Sequence, residues 1–362
     1  MPRNRHRRAP WGRAGLLVAG LLIAVSASVG LGAVSITPGD LVGILGERLG
    51  LTDGPVDARQ AAVLMGIRLP RVITSGIVGA LLGIAGALMQ ARYRSGLADP
   101  VLVGIGAGAA FGAALGTVLL LTVGSGSSAV VATTLPGGEV VGVVVPLLLA
   151  IGGALVASVL VAGAAGGAGR ATVPTMLLAG IALGALFTSV TGILTFAIHD
   201  PRLRDTGFWT LGGLAGVTWR VTIPTIVALG ACALAGWRLA PGLDALSLGE
   251  EEAAHLGVDP RSLGRATGVV VVLATGTAVA AAGPVAFVAL LAPAAARRML
   301  GSGTRLTLVG SALAGAIALT VADLAARSIA SPAELPVGLI TAAVGAPAFL
   351  WLLRRDRAGS AP

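Results

Sequence analysis

The chain contains no lysine. All 25 of its basic residues are arginine, so nothing in it can serve as the phosphate-binding lysine of a Walker A loop. An ATP-hydrolysing P-loop of its own is therefore excluded. Cysteine is nearly absent too. Cys232 stands alone, which forbids an intrachain disulfide and says little about compartment. Charged residues make up 11% of the chain, against roughly 25% in soluble domains. Aromatic residues make up 3%, too few for the girdles of a membrane β-barrel, and the apolar runs do not alternate as barrel strands do. Chemical signatures are missing as well: there is no HExxH, no cysteine pair and no GxSxG elbow. His6, His199 and His255 lie far apart in predicted loops and make no metal site.

What remains is 55% hydrophobic, mostly in runs of Ala, Gly, Val and Leu. A membrane-spanning helix needs roughly 20 predominantly apolar residues. Dividing the 362-residue chain on that basis predicts an all-α polytopic membrane protein of about ten spans. They fall near 14–34, 70–90, 101–122, 141–164, 173–198, 221–240, 266–283, 284–300, 307–326 and 337–353. The seventh and eighth are separated only by Gly283-Pro284, where proline's missing donor supports a break. The domain plan is one transmembrane domain, 14–353, between a basic N-terminal tail, 1–13, and a C-terminal tail, 354–362.

Ser26-Ala27-Ser28 resembles a signal-peptide cleavage region, but Ala14–Val34 is longer than a signal core and reads as an uncleaved first helix. Arg3, Arg5, Arg7, Arg8 and Arg13 then place the N-terminus in the cytoplasm. Ten spans from that start put 17 arginines inside and 8 outside, in keeping with the positive-inside rule, and leave both termini cytoplasmic. With that reading the +9 net charge is topology and not a nucleic-acid signal. Gly104, Gly108, Gly112 and Gly116, like Gly79 and Gly83, recur every four residues and line one helix face for close packing.

One polar stretch interrupts this pattern. Residues 241–265 mix charges with Leu246, Leu248 and Leu256 on the predicted cytoplasmic side. Within it, Leu248–Gly257 reads as a short helix ended by Gly257, and its apolar residues suit a docking surface better than a solvated loop. At the other side Arg68 and Arg71 sit three apart at the mouth of the second span, facing the external solution. They are either interface anchors or a docking pair for carboxylates. Asp323 is the only acidic residue in the predicted spans, which counts against an ion-coupled transporter and fits a pathway driven from outside the chain.

These residues carry a resemblance. Arg68-Leu69-Pro70-Arg71, Gly86-Ala87-Leu88-Met89-Gln90, Leu97-Ala98-Asp99-Pro100, Leu178–Leu183, Ala245–Glu250, Ala282–Val288, Pro332–Gly338 and Gly345-Ala346-Pro347 occur in the order seen in the FecCD family. Members are permease subunits of ATP-binding-cassette importers for iron–siderophore complexes, haem and cobalamin. The resemblance implies a type II importer permease fold with a second permease subunit, as homodimer or heterodimer, in the cytoplasmic membrane. Two cytoplasmic ATPase subunits would bind ATP and Mg, and an extracytoplasmic substrate-binding protein would deliver the cargo. Neither a cofactor nor nucleic acid is expected in this chain, whose remaining partner is membrane lipid, and it would not itself be an enzyme.

By the same resemblance, Leu248, Gly249, Glu250, Glu251, Ala254, Leu256 and Gly257 would couple to the ATPase. Arg68, Arg71 and Arg327 would dock the binding protein, and Thr188, Ser189 and Thr191 of the fifth helix would line the path. Ala294 departs from the family pattern by standing where a histidine is usual. The expected cargo is a ferric siderophore moved by alternating access, with haem or cobalamin as alternatives. A secondary transporter of a small solute is the rival reading.

Overall fold

The structure, a computed structural model, describes residues 10–31, 57–123, 138–166, 173–197, 211–330 and 333–359, with short stretches between 39 and 47. Helix α1 covers Pro10–Gly30 and α2 covers Ala58–Val63. A π-helical turn, Leu64–Arg68, joins α2 directly to α3, Leu69–Tyr93. Pro70 explains that turn. Its ring crowds the carbonyl four residues back and it donates no hydrogen bond, so the preceding turn widens.

The chain continues as α4 (Ile105–Val123), α5 (Gly138–Ala164), α6 (Val173–Ala197) and α7 (Trp219–Leu248). Next come the short α8 (Glu250–His255), then α9 (Pro260–Ala282), α10 (Val288–Leu300), α11 (Thr304–Ile329) and α12 (Val337–Gly359). No strand occurs among the described residues. Among the described residues seven helical segments are long and apolar enough to cross a membrane, and Ile105–Leu120 and Val337–Leu352 are shorter apolar helices. With α10, they make the ten main helices the sequence predicted.

Helix α3 is the axis of the bundle. It is buried along nearly its whole length against α7, α9, α10 and α11. Small residues permit this. A Cβ on Gly79 would overlap the Gly315 carbonyl, and one on Gly83 the Ser311 carbonyl, so α3 and α11 touch backbone to backbone. Gly108 and Gly112 meet the Gly153 and Leu149 carbonyls in the same way, joining α4 to α5. Gly104 differs from the rest of its predicted stripe. It precedes α4 at φ +84° and faces the Gly180 carbonyl of α6. Helix α6 itself leaves Leu178, Ile181, Ile193 and Phe196 exposed.

Three expectations need correction. Helix α7 does not stop near residue 240. It runs through Pro241 to Leu248 and buries Leu243 and Leu246, so about a third of the predicted polar segment continues this helix. The predicted span 284–300 is a 13-residue helix that starts at Val288, against Gly86 deep in the bundle. Gly283 (φ +66°), Pro284 and Phe287 (φ +66°) hold the intervening residues out of helical geometry, so the eighth crossing is part extended chain and part helix. The last helix does not stop near residue 353, because α12 continues to Gly359. His6, His199, Asp200, Arg202 and Arg204 lie outside the described residues.

Candidate functional sites at the two bundle ends

Arg71 and Arg92 mark opposite ends of α3. Twenty-one residues at about 1.5 Å each separate them by roughly 30 Å, close to a hydrocarbon core. Each end carries one cluster of the residues singled out in the sequence.

At the Arg71 end the arginines do not face solvent as expected. Arg68 and Arg71 are buried. Arg71 donates from Nε to Asp323 Oδ1 at 3.0 Å and Oδ2 at 3.2 Å, and its Nη2 lies 2.9 Å from Oδ1. Its Nη1 donates to both Glu334 carboxylate oxygens at 2.9 Å. Arg327, one turn after Asp323, places Nε 3.8 Å from Asp323 Oδ2. Its Nη2 donates to the Ser28 carbonyl and, at 2.6 Å, to Ser28 Oγ. Arg68 Nη1 donates to the Val29 carbonyl at 2.8 Å.

The physical reason for burial is the end of α1. Its last carbonyls lack intrahelical partners and carry the negative end of the helix dipole, and Arg68 and Arg327 satisfy both needs. The buried Asp323 then balances Arg71 and Arg327, so the acid that looked isolated in the sequence is a structural counter-charge.

At the other end α8 projects from the bundle between α7 and α9. Gly249 (φ +140°) breaks the helix after Leu248, and Glu250, Glu251 and Glu252 fill the first turn of α8, where negative charge is favoured. The helix closes as a Schellman motif: Gly257 N–H bonds the Ala254 carbonyl at 2.9 Å and Val258 N–H the Ala253 carbonyl at 2.9 Å, with Gly257 at φ +81°. Ala253 anchors the helix against the bundle, fully buried. Leu248 (66% exposed) and Leu256 (63%) point away from it, and Ala254 is exposed beside them. Glu250 lies 3.9 Å from Arg92 at the end of α3. An exposed short helix with two leucines, tied by an ion pair to the central helix, can take a push from outside and pass it on.

Thr188, Ser189 and Thr191 all lie on α6. Thr188 and Ser189 are exposed and Thr191 is buried. The Thr188 and Thr191 hydroxyls donate to the Gly184 and Phe187 carbonyls of their own helix at 2.8 and 2.7 Å.

Sequence reasoning missed five polar residues: Glu334, Gln90, Arg297, Asp244 and Asp99. Glu334 lies within the Pro332–Gly338 motif and completes the Arg71 site. Gln90, which ends the Gly86–Gln90 motif, meets Arg297 in the last turn of α10: Arg297 Nη2 donates to Gln90 Oε1 at 2.6 Å, and Gln90 Nε2 to the Leu290 carbonyl at 3.2 Å. They border a cavity of about 440 Å³ with Arg94, Asp244, Ser247 and Thr304. Asp244 Oδ1 caps α11 by accepting from Thr304 N at 3.0 Å and Oγ1 at 2.6 Å. Asp99 is wholly buried in the connection between α3 and α4. Its Oδ1 accepts from Val101 and Leu102 N–H, while Oδ2 has no hydrogen-bond partner among the described residues. Burial pushes its pKa up to about 6 against the pull of those two backbone bonds. Local motif spacing was the only sequence signal for these residues, and it carried no pairing. Among the described residues no cluster of His, Cys, Asp or Glu is suited to a metal.

The model of the FecCD transport family matches residues 20–355. A hemin transport system permease protein of Yersinia pestis is 34% identical over 296 residues, covering 82% of this chain and 84% of that protein. A cobalamin import system permease protein of Halobacterium salinarum is 38% identical, over 81% of this chain and 74% of that one. An Fe(3+) dicitrate transport system permease protein of Escherichia coli is 36% identical, over 85% and 90%. Among solved structures, an inward-facing conformation of a metal-chelate type ABC transporter aligns at a TM-score of 0.74 and 26% identity, covering 94% of this chain and 98% of that one.

Proposed function

The chain belongs to the FecCD transport family, and we propose that it is the membrane permease subunit of an ATP-driven importer that brings a metal chelate across the cytoplasmic membrane. The observation that carries this reading is α8, a short helix that leaves Leu248 and Leu256 exposed and whose Glu250 faces Arg92 of the central helix. That end is cytoplasmic on this reading. Arg92, Arg94, Arg261, Arg265, Arg297, Arg298 and Arg305 gather there, as the positive-inside rule asks of a cytoplasmic face, and the bond from Arg13 to the Met299 carbonyl supports an N-terminus on the same side.

The mechanism divides the labour. Two ATPase subunits bind ATP and Mg and hydrolyse the nucleotide, and no covalent step takes place in this chain. Their movement pushes Leu248, Gly249, Glu250, Glu251, Ala254, Leu256 and Gly257, and the ATP-bound and ATP-free engines stabilise different permease conformations. A substrate-binding protein docks at the opposite end, over Arg68, Arg71 and Arg327. A second permease subunit covers the apolar face of α6, and the cargo passes between the two copies beside Thr188, Ser189 and Thr191.

The cargo of this reading is a ferric siderophore, supported by similarity to an iron(3+)-hydroxamate permease and a siderophore transport permease, both of Bacillus subtilis. The relatives named for hemin and cobalamin support the second reading, in which the chelate is a tetrapyrrole. Uptake of labelled ferric siderophore, haem and cobalamin in cells with and without this chain tests both. Uptake of none of the three, with the chain present in the membrane, would end the proposal. Uptake driven by a proton gradient without an ATPase subunit would favour a secondary transporter instead.

A further inference from the structure

Arg71 holds two carboxylates of unequal standing. Asp323 comes from the body of α11, has a fully buried side chain, and lies beside Arg327 as well. Glu334 comes from the linker between α11 and α12, and its side chain is 44% exposed. Arg71 presents Nη1 only toward Glu334, and its own side chain is 10% exposed. Among the described residues Glu334 is the half-exposed partner of Arg71, so a carboxylate arriving from outside would meet this guanidinium where Glu334 now sits.

We propose that Glu334 occupies, in the isolated subunit, the place on Arg71 that a carboxylate of the docking partner takes, so that docking exchanges one carboxylate for another on a single guanidinium. This rests on the reading that the arginine end receives an external protein. Charge favours the exchange. Arg71 and Arg327 face Asp323 and Glu334, two guanidiniums against two carboxylates, and departure of Glu334 leaves two against one. Geometry favours it too, because Arg71 Nη1 can donate to both oxygens of an incoming carboxylate as it now does to those of Glu334. A half-exposed ion pair is held weakly enough to be replaced, whereas the buried Asp323 stays as the fixed counter-charge.

The exchange also has a route into the bundle. Leu335 N–H bonds the Ala326 carbonyl at 3.1 Å, and Gly338 N–H the Gly212 carbonyl at 3.2 Å. Release of Glu334 pulls on this linker and on the first turn of α12, so the bundle senses an occupied docking site.

The test needs no partner protein. The full chain is reconstituted in lipid nanodiscs as parent, Glu334→Ala, and Glu334→Ala with Arg71→Ala, and the thermal unfolding midpoint is followed as sodium acetate replaces sodium chloride at constant ionic strength. In Glu334→Ala the midpoint falls, and acetate restores it saturably. The parent and the double variant show no such response. Equal midpoints in acetate and chloride for Glu334→Ala, or an acetate response that survives removal of Arg71, would overturn the exchange. Should Glu334→Ala not fold, Glu334→Gln with phenylglyoxal labelling of Arg71, read by mass spectrometry, serves instead. Labelling several-fold faster than in the parent, and slowed by acetate, supports the exchange, and equal rates refute it. Loss of the acetate effect leaves the docking reading standing. A clear acetate effect with full cargo uptake by Arg71→Ala refutes the docking reading, and with it the partner assigned here.

Discussion

Arg71 and Asp323 form a bidentate ion pair across 252 positions of sequence, with Nε at 3.0 Å and Nη2 at 2.9 Å from the same carboxylate oxygen. The pair joins the first turn of α3 to the last turns of α11. Further along the same interface Gly79 and Gly83 let the two backbones touch. Charge and close packing thus hold one helix pair from one end through its middle.

Removing one member of this pair strands the other. Asp323→Ala leaves Arg71 and Arg327 without their buried counter-charge, and a loss of about 3–5 kcal/mol of stability is expected. An apolar pair, Asp323→Leu with Arg71→Met, restores much of it. Unfolding midpoints in nanodiscs decide the matter: an unchanged midpoint for Asp323→Ala would show that the pair does not support the fold.

The α3–α11 contact predicts a sharp contrast among glycines. Gly83→Leu forces α3 away from the Ser311 backbone, and the protein should fail to accumulate in the membrane. Gly152→Ala, on a face with open space, should leave the amount of folded protein unchanged. Fluorescence-detected size exclusion of tagged variants compares them, and normal accumulation of Gly83→Leu would refute the packing argument.

Coupling is tested at α8. Leu248→Glu and Leu256→Glu place charge on the exposed apolar surface without disturbing buried Ala253, so folding and membrane insertion should persist. ATPase subunits should no longer co-purify, and uptake should fall to background. Retained co-purification and uptake would remove α8 as the contact with the engine.

Asp99 predicts a pH dependence. Its pKa rises from an ordinary 3.8 to about 6 in the folded protein, so the folded state binds its proton more tightly than the unfolded state does. The stabilisation this provides is complete below pH 3.8 and is lost as pH rises through about 6. Parent and Asp99→Asn are compared across that range. The parent midpoint should decline relative to the variant as pH rises, and parallel curves would show that Asp99 does not titrate there.

Helix number and placement were legible in the chain because each depends on local composition: twenty apolar residues in a row must satisfy their own backbone in lipid. The short α8 and its Gly257 stop were legible for the same reason, since a Schellman closure involves neighbours only. Two local readings failed. Pro241 looked like a helix end, but the helix continues because Leu243 and Leu246 bury against the bundle. Span 284–300 looked uniformly apolar, yet Gly283, Pro284 and Phe287 delay its helix to Val288. The pairing of Arg297 with Gln90 and of Arg71 with Glu334 was not legible, since a motif piece says nothing about which other piece it will touch.

The amino-acid order alone therefore determined a lysine-free, many-helix membrane body with one projecting helix, because hydropathy and helix stops act over a few residues. Only the tertiary structure decided that Arg68, Arg71 and Arg327 turn inward, onto the open end of α1 and onto Asp323 and Glu334. Whether a guanidinium faces water or a carboxylate depends on which helices close over it, and those helices lie hundreds of residues apart in the chain.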